Sequence, residues 1–145
     1  MVADLGSRVL IADRDASLRQ LLYSRLLEID LFSDCVANGR DALEKLGDTG
    51  YAVLIIDVTL TDVDAIQVIE RIAQMPAAQR PVVLVLAERP EAARTMDVDI
   101  VQIILRKPVD VTQLAELVGS CVRSAARRAA LAPVPPKKSG DQLTS

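Results

Sequence analysis

Three charged side chains follow apolar runs of the sequence, in the places where α/β proteins usually carry their chemistry. Asp13 and Asp57 each come directly after such a run, and Lys107 follows a third one closely. Ligands of open α/β sheets bind beyond the carboxyl ends of the strands, so these side chains are expected to meet there. Carboxylates can hold Mg²⁺, a lysine can neutralise phosphate charge, and an aspartate can accept a phosphoryl group. The alternative is that both aspartates only end strands and cap loops.

Five apolar runs predict the sheet that would bring these groups together. Their length and β-branched content are typical of strands, and they cover residues 8–12, 32–37, 51–56, 81–87 and 101–105. Helical patterns lie between them. Strand alternating with helix predicts an α/β fold with a doubly wound parallel sheet that is covered on both faces.

Five helices are predicted around this sheet. Apolar residues at 3/4 spacing place them at 18–29, 40–46, 65–74 and 90–96, with a last helix opened by Asp110. Asp15 or Ser17 is expected to cap the first one. The 90–96 segment is the weakest of the five, because only two alanines and Met96 give it an apolar face.

Composition excludes several classes of site. The chain has no histidine, which removes Ser-His and Cys-His catalysis, most zinc sites and a histidine phosphodonor. Cys35 and Cys121 lack metal-ligand spacing and are expected to be buried, reduced thiols. A net charge of −3 argues against nucleic-acid binding.

Length and patterning suggest one domain over residues 1–131, followed by a disordered Pro-rich tail over 132–145. The N-terminal residues lack the pattern of a signal peptide, and no apolar run is long enough for a membrane span. A cytoplasmic protein without a membrane partner is therefore expected.

Four stretches together resemble the receiver domain of bacterial response regulators, in that family's order and spacing. They read RVLIADRDASLRQLL, ANGRDALEKL, VLIIDVTLTDVDAIQVI and LRKPVD, and the resemblance covers roughly residues 7–125. It implies a flavodoxin-like, CheY-like fold with strand order 2-1-3-4-5. It also implies a role in two-component phosphorelay signalling rather than an enzymatic activity.

The resemblance assigns roles residue by residue. It makes Asp57 the phosphoacceptor, Asp13 the first residue of the acidic pair, and Lys107 the lysine that acts with them. It makes the backbone carbonyl of Thr59 a ligand of Mg²⁺, together with Asp13 and Asp57. It also implies a cis peptide bond before Pro108.

Three departures weaken the match. Arg14 stands at the second acidic position, and a guanidinium cannot ligate a metal. Arg14 either lies between Asp13 and Asp57 as a built-in cation or points to solvent, and Mg²⁺ is expected to bind weakly or not at all. At the switch positions, Leu86 replaces a hydroxyl residue, and Ile104 replaces an aromatic one and is expected to pack inward. Both are also compatible with ordinary core filling.

Two functions follow from the resemblance. The first is a phosphoacceptor, an atypical receiver domain that takes a phosphoryl group at Asp57 from a histidine kinase or a histidine phosphotransfer protein. The second is a phosphorylation-independent pseudo-receiver that acts as a protein-interaction module. A nucleotide-binding enzyme is disfavoured because the sequence has no glycine-rich phosphate loop.

The last helix is the expected contact surface for a downstream protein. Arg123, Arg127 and Arg128 lie towards its C-terminal end, where positive charge is favourable with or without a partner. Pairing of the chain with a second copy of itself is left open.

Overall fold

The computed structural model describes residues 8–131, with side chains over 8–128. Five parallel strands form one sheet in the order β2-β1-β3-β4-β5. The strands are β1 (Val9–Ala12), β2 (Ser33–Val36), β3 (Val53–Asp57), β4 (Val82–Ala87) and β5 (Val101–Arg106). The predicted α/β class, the doubly wound flavodoxin-like sheet and its strand order are confirmed. The tail predicted over 132–145 lies outside the described residues.

Four α-helices accompany the strands in the described part of the chain, not the five that the sequence predicted. They are α1 (Ala16–Glu28), α2 (Gly39–Asp48), α3 (Ala65–Ala73) and α4 (Val111–Leu131). The segment predicted as a helix over 90–96 forms only a 3₁₀ turn, Pro90–Ala93. A helix in a protein is stabilised mainly by the apolar face that it buries. This segment buries only Ala93 and Met96, which is too little to hold a full helix on the sheet.

The helices bury their apolar faces on the two sides of the sheet. On one side α2, α3 and the 3₁₀ turn pack over Leu10, Leu54, Ile56 and Val85. On the other side α1 and α4 pack over Val9, Ile11, Ile55 and Leu84. Because successive strand residues point to opposite faces, each of the three central strands contributes to both cores.

Edge strand β5 is covered less completely than the three central strands. Its residues alternate between half-buried and exposed, with Gln102, Ile104 and Arg106 exposed. These exposed positions mark the face of β5 that the short 3₁₀ turn leaves open. The register of β5 against β4 also shifts between Val83 and Leu84, next to this remodelled segment.

Local contacts fix the loops at the carboxyl edge of the sheet. Asp15 caps α1 by accepting hydrogen bonds from the backbone N–H groups of Ser17 and Leu18, as the sequence predicted for one of two candidates. Gly39 begins α2 against the loop that follows β3, and a Cβ atom there would collide with the carbonyl oxygen of Val63. That close approach requires glycine.

The two cysteines are free, as expected, but the prediction that both are buried is wrong. Cys35 is exposed and Cys121 is half-buried. Cys35 lies on edge strand β2, whose outer side has no neighbouring strand within the described residues.

Candidate functional site

Asp13, Asp57 and Lys107 meet at the carboxyl edge of the sheet. Asp13 directly follows β1, Asp57 is the last residue of β3, and Lys107 directly follows β5. The Lys107 ammonium lies 2.9 Å from Asp13 Oδ2 and 3.4 Å from Asp57 Oδ2. All three line an open cleft of about 790 Å³. The topology thus brings together residues that are 44 and 50 positions apart in the chain (57 − 13 and 107 − 57).

The carboxylate of Asp57 is buried and held by its own loop. It is 3% exposed. Thr59 donates its backbone N–H to Asp57 Oδ1 at 3.0 Å, and its hydroxyl lies 3.0 Å from both carboxylate oxygens. Together with Lys107, these donors fix the orientation of the carboxylate.

Asp13 is buried more deeply still. Burial raises its pKa, and the nearby negative charge of Asp57 acts in the same direction, whereas the N–H of Asp15 and the Lys107 ammonium lower it. The Asp15 N–H donates to Asp13 Oδ1 at 2.9 Å. Asp13 Oδ2 lies against Lys107 but has no well-aligned hydrogen bond. The ionised form of Asp13 therefore depends for its stabilisation on Lys107 and on any further cation in the cleft.

Lys107 is the shared partner of both carboxylates. Burial alone would lower its pKa, but the hydrogen bond and charge of Asp13, with the charge of Asp57, raise it above the ordinary value. The ammonium is therefore protonated at neutral pH. The peptide bond that follows, Lys107-Pro108, is cis, as the resemblance implied.

Arg14 reaches across the mouth of the cleft. Its Nη1 donates to the backbone carbonyl oxygen of Thr59 at 3.4 Å, which joins the loop after β1 to the loop after β3. Neither alternative raised by the sequence describes this position fully. The side chain is exposed but does not point away into solvent, and its recorded contact is with Thr59 rather than with Asp13 or Asp57.

The residues present do not fit an ordinary Mg²⁺ site. The carbonyl expected to ligate the metal already accepts a hydrogen bond from Arg14. Both carboxylates are paired with Lys107, and Asp15 uses its own carboxylate to cap α1. Among the described residues, no group of three or more acidic, cysteine or histidine side chains is arranged to hold a metal ion. The positive charge of Arg14 and Lys107 opposes a dication here.

The two switch positions lie further along the same edge. Leu86 pairs with Asp57 in the sheet and is completely buried in the core beneath α1 and α4. Ile104 is 41% exposed, so the prediction that it packs inward is wrong. The reason is the missing helix between β4 and β5, which leaves that face of β5 uncovered.

Sequence reasoning missed two contributors to the site. The resemblance assigned a role only to the backbone carbonyl of Thr59, yet the Thr59 hydroxyl contacts Asp57; a Thr two residues after an aspartate is a recognisable local hydrogen-bonding pattern. The second is Arg19, whose Nη1 donates to the carbonyl oxygen of Asp13 at 2.7 Å. The sequence carries no distinct signal for that contact, because it depends on how α1 leaves the edge of the sheet.

Comparison with known proteins agrees with this fold. The chain matches the response regulator receiver domain family over residues 9–119. It therefore belongs to that family, whose members are signalling modules of two-component systems. Regulator of RpoS from Escherichia coli K12 is 26% identical over 120 residues, which cover 81% of this chain and 35% of that protein. The protein of the same name from Shigella flexneri matches equally. The chain spans about a third of the length of these relatives.

Solved structures of receiver domains share the fold. The signal receiver domain of a putative Luxo repressor protein from Vibrio parahaemolyticus superposes with a TM-score of 0.77 at 20% identity, covering 88% of this chain and 98% of that one. Response regulator protein TrrA from Thermotoga maritima, solved in complex with Mg(2+)-BeF, gives 0.68 at 21% identity, with 79% and 98% covered. No helix in the described part of this chain is long and apolar enough to cross a membrane.

Proposed function

We propose that this receiver domain accepts a phosphoryl group on Asp57 from the phosphohistidine of a kinase or of a histidine phosphotransfer protein. The observation that carries the proposal is the position of the Lys107 ammonium, in contact with both Asp13 and Asp57 on the floor of an open cleft. An Asp57 oxygen forms a bond to phosphorus while the bond between phosphorus and the histidine nitrogen breaks, and the nitrogen keeps the electron pair of that bond. Lys107 neutralises the charge on the phosphoryl oxygens. Asp13 keeps Lys107 in place.

A weakened dependence on Mg²⁺ is part of the same proposal. Asp13, Asp57 and the Thr59 carbonyl would be the oxygen ligands, but Arg14 contacts that carbonyl and adds a positive charge beside it. Mg²⁺ and beryllofluoride are therefore expected to bind poorly.

Acetyl phosphate tests the acceptor role without a partner protein. The full chain is incubated with this donor, with and without Mg²⁺, and its intact mass is recorded over time. Wild type should gain the mass of one phosphoryl group, and Asp57→Asn should gain none. A wild-type chain that stays unmodified, also with a phosphohistidine donor, would contradict the acceptor role.

A phosphorylation-independent interaction module is the second candidate. It is favoured by Leu86, whose buried apolar side chain offers no hydroxyl to a phosphorylated Asp57. Binding of a downstream protein separates the two functions. Equal affinity for wild type and Asp57→Asn, before and after treatment with acetyl phosphate, supports the interaction module, whereas a change on phosphorylation supports the acceptor.

The downstream protein is proposed to bind α4. Arg123, Arg127 and Arg128 are exposed on this helix, which suits a partner with an acidic surface. A cytoplasmic location, where kinases of two-component systems present their phosphohistidine, belongs to the same proposal. A direct role on nucleic acid, a membrane partner and an enzymatic activity of its own are not part of it.

A further inference from the structure

Arg14 occupies the position from which a cation would act on the cleft. It leaves the end of β1 and reaches the carbonyl oxygen of Thr59 at 3.4 Å, although the two residues are 45 positions apart in sequence. The resemblance to receiver domains implies that this carbonyl would be a ligand of Mg²⁺. Here a guanidinium group donates to it and lines the same cleft as Asp13, Asp57 and Lys107.

The charged side chains that line the cleft are close to balance. Asp13, Asp15, Asp57 and Glu88 contribute four negative charges, and Arg14, Arg106 and Lys107 contribute three positive ones. A dication bound beside Asp57 would face the positive charges of Arg14 and Lys107. The incoming phosphoryl group, in contrast, brings negative charge to a place where two cations are fixed.

A guanidinium suits that task. It presents five N–H donors in a rigid plane, and within the described residues only one of them has a partner, the Thr59 carbonyl. The remaining donors can meet phosphoryl oxygens in the cleft, in the way that arginines stabilise transferring phosphoryl groups in other proteins. The bond to Thr59 also ties Arg14 to the loop that orients Asp57, since the same residue donates its N–H to Asp57 Oδ1.

We propose that the Arg14 guanidinium replaces the divalent cation, so that Asp57 accepts a phosphoryl group in a metal-independent reaction. This inference rests on the acceptor function proposed above. With acetyl phosphate, an Asp57 oxygen forms a bond to phosphorus while the bond between phosphorus and the acetate oxygen breaks. Acetate leaves with the electron pair as an anion, and Arg14 and Lys107 hold the three phosphoryl oxygens throughout.

The first experiment compares phosphorylation in EDTA and in Mg²⁺ by intact mass. Wild type should react at the same rate in both. Arg14→Gln should be slower by roughly tenfold to a hundredfold in both, because one charged donor is lost. Arg14→Asp, which restores an acidic pair, should react only with Mg²⁺. Arg40→Asp makes the same charge change at an exposed position of α2, outside the cleft, and should behave as wild type. Wild type that reacts only with Mg²⁺ would overturn the inference.

The second experiment measures metal binding without any reaction. Isothermal titration with Mg²⁺ should give no binding heat for wild type or Arg40→Asp, and clear binding for Arg14→Asp. Mg²⁺ binding by wild type as tight as by Arg14→Asp would overturn the inference. If no variant is phosphorylated under any condition, the acceptor function fails and this inference fails with it. If wild type reacts only in Mg²⁺, the inference about Arg14 is contradicted, whereas the acceptor function of Asp57 still stands.

Discussion

Two corners of the same sheet edge differ in the chemistry of their side chains, which are charged in one corner and apolar in the other. The acceptor corner, where the loops after β1, β3 and β5 meet, contains Asp13, Asp57 and Lys107, which are paired with one another, and Arg14, which contacts the Thr59 carbonyl. The switch corner, at the ends of β4 and β5, contains Leu86 and Ile104, which carry no polar group. Since the two corners are hydrogen-bonded neighbours in the sheet, the difference is not one of distance. The proposed acceptor chemistry would therefore act through charged groups, whereas Leu86 and Ile104 have no polar group with which to respond to it.

The largest effect on stability is expected inside the switch corner, at Leu86. Leu86→Ala should lower the free energy of unfolding by about 2–5 kcal/mol, because a fully buried side chain is lost and a cavity remains. Urea unfolding followed by circular dichroism measures this. Val98→Ala, at a side chain that is 83% exposed, is the control and should change little. A loss below about 1 kcal/mol for Leu86→Ala would mean that this corner is not core.

The next effect concerns the charges of the acceptor corner. Lys107→Met leaves Asp13 and Asp57 buried without their cation, and should cost about 2–4 kcal/mol at neutral pH. The pKa of Asp13, already raised by burial, should rise further, so the folded state would bind a proton that the unfolded state has lost. Stability of the variant should therefore increase as the pH falls towards 5, opposite to ordinary acid denaturation.

Unfolding at two pH values checks this sign, and a double variant supplies the control. Lys107→Met/Asp13→Asn removes one of the two stranded carboxylates and should recover part of the lost stability. If Lys107→Met is equally stable at both pH values, the two carboxylates do not depend on Lys107 for their charge. The contrast between the two corners would then lose its electrostatic basis.

A second polar cluster, around Asp34 on β2, provides a reference that has no role in the proposed chemistry. Asp34 accepts hydrogen bonds from Arg8 at 2.7 Å and from the Tyr51 hydroxyl at 2.6 Å. Burial would raise the pKa of Asp34, but these hydrogen bonds and the charge of Arg8 outweigh it and lower the pKa below its ordinary value of 3.8. The cluster therefore stabilises the fold above that pH, and its contribution is lost as the pH falls through the folded-state pKa.

Tyr51→Phe tests this reference cluster. It should cost about 1–2 kcal/mol at neutral pH, since a hydrogen bond to a charged group is lost. The difference from wild type should shrink as the pH falls through the lowered pKa of Asp34, because protonation removes the charge that the hydroxyl stabilises. Urea unfolding at neutral and at acid pH measures it, and Asp34→Asn/Tyr51→Phe closes the double-mutant cycle. A difference that does not depend on pH would show that the hydroxyl acts through packing alone.

The sequence predicts the acceptor corner better than the switch corner, and the reason is physical. Asp13, Asp57 and Lys107 follow strands, and strand ends in a parallel sheet share one edge, so periodicity was enough to predict their meeting. Ile104 was misjudged because its burial depends on a neighbouring segment, and that segment forms a 3₁₀ turn instead of a helix. The direction of Arg14 was left open for a related reason. A long flexible side chain takes its orientation from tertiary contacts, in this case the Thr59 carbonyl.

The smallest effect on stability is expected at Ile104, because this side chain is exposed whereas Leu86, the other residue of the switch corner, is buried. The Ile104 side chain is 41% exposed on the uncovered face of β5, so Ile104→Thr should change the free energy of unfolding by less than about 0.5 kcal/mol. The adjacent Ile103 points to the other face and packs, partly buried, against the core beneath α1 and α4. Ile103→Thr is the matched control and should cost about 1 kcal/mol or more, because it puts a hydroxyl and a smaller side chain against that core. Urea unfolding compares the two variants directly.

If Ile104→Thr destabilises the fold as much as Ile103→Thr, a segment of the chain covers β5 in solution, and the switch corner is more buried than its short 3₁₀ turn indicates. If Ile104→Thr costs nothing, Leu86 is the only buried side chain at the two switch positions, and the exposed face of β5 is not part of the core.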